Sequence, residues 1–115
     1  MNRVRVRGVT TYHIIGGKVL SADSNSMLVE LKGKTYEAVP VAGAGRQACL
    51  LAGQKQEGKQ YAEVPIETIM GGVITNASYN SLTVMKEDKY YIAVAYADWH
   101  SVWMEVYELE APILA

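Results

Sequence analysis

Residues 14–41 and 69–96 say the same thing twice. Set against each other at an offset of 55 positions, they align without a gap, and eleven of the 28 pairs are identical. Random pairing at ordinary composition gives roughly two identities. The shared residues are punctuation and faces: Gly16-Gly17 with Gly71-Gly72, Asn25-Ser26 with Asn80-Ser81, and Tyr36, Ala38 and Val39 with Tyr91, Ala93 and Val94. Convergence of two ordinary hairpins explains shared turn residues, but not equal spacing between every turn. The sequence therefore points to internal duplication of a unit about 55 residues long, repeat 1 over about 1–56 and repeat 2 over about 57–115.

Each unit reads as strands. RVRVRGV alternates Arg and Val with the period of a half-buried strand. GKVLSAD follows the glycine pair and runs into Asp23-Ser24-Asn25-Ser26, residues whose side chains bond their own backbone in turns. MLVELKGKTYEAVPV is a hairpin around Lys32-Gly33-Lys34. The second unit follows suit with QYAEVPI, VITNAS, the hairpin SLTVMKEDKYYIAVAY, the loop ADWHS and the segment VWMEVYELE. RQACLLAGQK has a helical composition, with Gly53 as a cap, but its counterpart SVWMEVYEL is β-branched and aromatic, which favours strand. The expectation is an all-β chain with five strands per unit and ten in all.

Five strands in a unit this short resemble a small SH3-like or OB-like barrel, and two separate barrels would each bury little. The expected arrangement is one pseudo-symmetric domain whose halves share a core, as a sandwich or a closed barrel, with two small barrels as the alternative. Arg3, Arg5 and Arg7 share one strand face and Glu108 and Glu110 another, so the first strand is expected beside the last.

Bulk properties restrict the class of function. The chain has 115 residues, half of them apolar, and a net charge of −1. That composition belongs to a folded protein and argues against nucleic-acid binding, which leaves a strongly basic footprint. No apolar run reaches the roughly 18 residues that span a bilayer. MNRVRVRGV lacks the apolar core of a secretory signal. Cys49 is the single cysteine, so no internal disulfide forms, and a cytoplasmic setting is the expectation. Two histidines without a carboxylate cluster give no metal site, and no motif calls for a cofactor.

Where the copies differ, function has room. The Arg stripe fits a solvated or salt-bridged edge strand as well as it fits a phosphate grip. Loop AGAGRQ, with Arg46, offers glycine amides and one cation to an anion but lacks the spacing of a P-loop. The corresponding loop ADWHS has turned aromatic and titratable, bringing Tyr96, Asp98, Trp99, His100 and Trp103 close in sequence. Tryptophan at a hairpin tip exposes apolar area unless something covers it. Arg46, Tyr96, Asp98, Trp99, His100 and Trp103 are the candidate ligand-binding residues. The expected function is a non-catalytic, homo-oligomeric binding module that holds a small, nucleotide-like ligand or blocks a protein partner. A source in a phage or another mobile element fits that profile. An assembly subunit, with the tail APILA docking on a neighbour, is the second reading, and a hydrolase using Asp98 and His100 the third.

Overall fold

A computed structural model of the chain describes residues 11–42, 49–51 and 62–110. The strands are β1 (Lys18–Ala22), β2 (Met27–Leu31), β3 (Lys34–Val41), β4 (Cys49–Leu51), β5 (Ala62–Val64), β6 (Val73–Ala77), β7 (Ser81–Lys86), β8 (Lys89–Ala97) and β9 (Val102–Leu109). One-turn 3₁₀ segments at Thr11–Ile14 and Ile66–Ile69 precede β1 and β6. The chain is all-β, and nine of the ten expected strands are described. The tenth, with Arg3, Arg5 and Arg7, lies outside the described residues, as do Arg46 and most of loop AGAGRQ.

The strands make one open sheet in the order β4-β3-β2-β1-β6-β7-β8-β9-β5. Every pairing is antiparallel except β3 with β4. Among the described residues the sheet does not close, so the closed barrel is set aside. β9 pairs with β8 on one side and with β5 on the other, through Ala62↔Glu108 to Val64↔Val106; the first strand expected beside it lies outside the described residues.

Local chemistry explains why the same elements recur 55 residues apart. Gly16 and Gly71 hold φ of 93° and 87°, a region that glycine enters without a Cβ clash. A Cβ on Gly17 or Gly72 would sit 3.0 or 3.1 Å from the carbonyl oxygen of Ile14 or Ile69 and would overlap a methyl of Val29 or Val84. Each Gly-Gly therefore turns the chain out of its 3₁₀ segment and lets the first strand pass close beneath the second. Both first strands carry an irregularity against their partners, between Val19 and Ser21 and between Ile74 and Asn76. The extra residue lets Val19 and Ala22, like Ile74 and Ala77, face the core together. The next hairpins close on two-residue turns with both central φ positive: 53° and 80° at Lys32-Gly33, 52° and 64° at Glu87-Asp88. These are the type I′ turns that match strand twist.

The halves meet where β1 runs beside β6, and their bonds are reciprocal. Gly16 N–H donates to Ile74 O and Gly71 N–H to Val19 O, both at 2.7 Å. Val19 N–H donates to Gly72 O and Ile74 N–H to Gly17 O, both at 2.9 Å. Each bond becomes its partner when 55 is added to one residue and subtracted from the other. Buried residues of both halves, from Ile14, Val19 and Val29 to Ile69, Ile74 and Val84, form one cluster. Without pairing to them, β3 lies against β8 and β9, and β4 lies against β8.

The correspondence fails at β4. In the second half β8 and β9 form an antiparallel hairpin, with Ala95 opposite Met104. In the first half β4 runs parallel to β3, with Pro40 opposite Leu50, and Leu50 is fully buried. The strand favoured over a helix for residues 46–54 is present at Cys49–Leu51. Proline also cuts the first hairpin short. Ala95 N–H extends the β7–β8 ladder to Asn80 O at 3.0 Å, and Pro40 at the matching position has no N–H to give. β2 accordingly begins one residue later in its repeat than β7 does.

Candidate functional site

The β8–β9 hairpin collects five of the six candidate residues. Its tip, residues 98–101, is fixed by its own hydrogen bonds. Asp98 N–H donates to Ser101 O at 3.0 Å, and Asp98 Oδ1 accepts from the backbone N–H groups of His100 at 2.8 Å and Ser101 at 3.0 Å. These bonds, that of His100 first, hold the Asp98 carboxyl below its ordinary pKa of 3.8. The turn Asp23–Ser26 is built alike: Asp23 Oδ1 accepts from Asn25 N–H at 2.7 Å and Ser26 N–H at 2.9 Å, and Asp23 N–H donates to Ser26 O at 2.9 Å. An Asp-x-x-Ser turn thus forms with Ser-Asn or with Trp-His in the middle. The aromatic pair at 99 and 100 is not needed to make the loop.

Trp99 is 97% exposed, and His100 beside it is exposed as well. Asp98 directs Oδ1 to the backbone of the turn, and the exposed indole of Trp99 and ring of His100 follow it in the chain.

Below the tip, Tyr96 and Trp103 face each other across the hairpin, with ring centroids 6.0 Å apart and planes tilted by 41°. Trp103 Nε1 donates to Glu105 Oε2 at 2.7 Å, and Tyr107 Oη donates to Glu105 Oε1 at 2.6 Å. Successive odd residues of β9 share a face, so Trp103, Glu105 and Tyr107 form a short ladder with the carboxylate in the middle. Tyr107 is 5% exposed. Burial first, then its bond to Glu105 and a contact with Tyr96, hold its hydroxyl far above the ordinary value of 10.0, which keeps it a donor. Glu105 and Tyr107 were not among the sequence candidates. Their signal was the i, i+2 spacing Trp-x-Glu-x-Tyr, which places three polar-tipped groups on one strand face.

A further exposed ring stands at the same end of the sheet. Ser81 at the start of β7 pairs with Val94 near the end of β8, so the β6–β7 turn lies beside the β8–β9 turn. That turn carries Tyr79, 66% exposed. Nothing in the sequence separates Tyr79 from the other tyrosines.

Among the described residues no group of three or more His, Cys, Asp or Glu is placed to hold a metal ion, and no helix is long and apolar enough to cross a membrane. No protein-family model matches the chain, and neither a curated protein nor a solved structure shows significant similarity to it.

Proposed function

We propose that the chain is a non-catalytic binding module whose working surface is the β8–β9 hairpin, carried on a duplicated β unit whose halves share one two-layered core. The observation that carries this is Trp99, 97% exposed on a turn that needs no aromatic residue to form. Burying an indole removes a large apolar area from water, and tryptophan is enriched among the residues that dominate binding energy at interfaces. The turn is already ordered by Asp98, so presenting the ring adds little ordering cost on association. Small-ligand sites are concave, whereas Trp99 stands on a projecting hairpin tip. The occupant that suits it is a macromolecule, either another protein or a second copy of the chain.

Duplication is supported by the reciprocal bonds at the β1–β6 seam and by matched φ values at the turns. The commitment of Asp98 Oδ1 to two backbone N–H groups supports a binding reading over a hydrolytic one.

Site-specific photo-crosslinking tests the proposal. A photoreactive phenylalanine at position 99 is expected to capture a discrete partner in cells, or a second copy of the chain. The same residue at position 89, exposed at the far end of β8 from the tip, is expected to capture neither. Identical product patterns from both positions, or no product from position 99, would contradict it.

A further inference from the structure

The charge of the hairpin indicates what it is built to meet. Between residues 90 and 110 there is no lysine or arginine, although the chain contains 11 of them. The same stretch holds Asp98, Glu105, Glu108 and Glu110, and both tryptophans of the protein. The matching stretch of the first repeat, 35–55, has Glu37 balanced by Arg46 and Lys55 and a single aromatic residue, Tyr36. Acidic and aromatic character is thus concentrated in one half and not in the matching stretch of the other.

Elements around the tip extend the pattern. Met104 N–H donates to Ser24 O at 2.9 Å, which sets the turn containing Asp23 against the edge of β9. Glu63 of β5 pairs with Tyr107 on the neighbouring ladder. A surface of exposed indole, paired Tyr96 and Trp103 rings, Asp98 at the tip and Glu105 and Glu63 on the Trp103 face is complementary to cations on long apolar stems. Guanidinium groups stack on indole and tyrosine faces while their charge is attracted to nearby carboxylates.

We infer that the β8–β9 hairpin docks a basic, arginine-bearing segment of a protein partner, with guanidinium groups stacked on Trp99 and on the Tyr96–Trp103 pair. This rests on the reading of the hairpin as the working surface and adds the chemistry of what it binds. Nothing in it requires Glu105 to leave Trp103 and Tyr107: the carboxylate acts through its field, and the indole through its face.

The full-length protein is titrated by calorimetry with four nine-residue peptides that alternate valine with arginine, lysine, serine or glutamate. The arginine peptide is expected to bind at least about tenfold more tightly than the serine peptide, with lysine between them and glutamate weakest. Raising the salt from about 50 to about 300 mM is expected to weaken the arginine complex several-fold. Trp99→Ala is expected to cost about tenfold in affinity for that peptide and Glu105→Gln a few-fold, while Glu30→Gln in the first half costs nothing. Trp99→Phe is expected to recover part of the loss, and thermal melting checks that each variant is folded. Serine and arginine peptides binding equally well, both dependent on Trp99, would overturn the cationic partner and leave the hairpin as the working surface. Arginine binding that ignores Trp99→Ala would overturn both. Failure of all four peptides to bind would overturn the inference.

Discussion

At the residue scale, Asp98 and Trp99 are neighbours with opposite duties. Asp98 makes the turn, and in the proposed reading Trp99 is what the turn presents. Because the Asp98 pKa is depressed in the folded chain, its contribution to stability is fully present above the ordinary value of 3.8 and is lost as pH falls through the lower folded value. Acid is therefore expected to loosen the hairpin below about pH 4, reported by the fluorescence of Trp99 and Trp103 together, and Asp98→Ala is expected to abolish that step. An acid transition unchanged in Asp98→Ala would place its origin elsewhere. The sequence made this residue group visible, because an aromatic pair inside a turn motif is conspicuous. It did not reveal which member faces inward to the backbone. That depends on the hydrogen bonds of one four-residue turn, and the Asp23 turn shows the same solution with different side chains. Glu105 and Tyr107 were hidden for another reason. On a strand buried partly on both faces, the polar residues of the outer face resemble a solvated edge until their partners are known.

At the scale of elements, hairpins were legible and their company was not. Alternation and turn residues placed β1 to β3 and β6 to β9, because period two and the turn tetrads are local properties. The 3₁₀ segments escaped, since four residues carry no periodicity. The parallel course of β4 escaped too, because it goes with Leu50 entering the core, a tertiary contact that no local pattern announces. Two substitutions test the local account. Gly17→Ala and Gly72→Ala are expected to destabilise by similar amounts, about 1–3 kcal/mol each, since each new methyl meets a carbonyl oxygen and a valine in the same way. Asp88→Gly is expected to stabilise by about 0.5–1 kcal/mol, because it gives the second I′ turn the glycine that Gly33 supplies to the first. Chemical denaturation measures both; unequal costs at Gly17 and Gly72 would mean that the halves differ where they are held to be alike.

At the scale of the molecule, the β1–β6 seam is where the two halves hydrogen-bond. If the halves share a core, the seam amides Gly16, Val19, Gly71 and Ile74 open only with the whole fold. They are then expected among the slowest to exchange hydrogen, with similar protection in each symmetric pair. Faster exchange at the seam than in β2 or β7 would indicate two bodies joined by an edge. The proposed reading separates residues that hold the fold from residues that recognise a partner, and a turn transplant probes that division most directly. Replacing Trp99-His100 by Ser-Asn (Trp99→Ser with His100→Asn) gives the β8–β9 turn the residues of the Asp23 turn, whose bonds it already shares. The expected result is a melting temperature within about 3 °C of the parent, together with loss of partner capture at the hairpin. A large drop in melting temperature, or undiminished binding by the transplanted chain, would show that the aromatic tip supports the fold and leaves recognition to another surface.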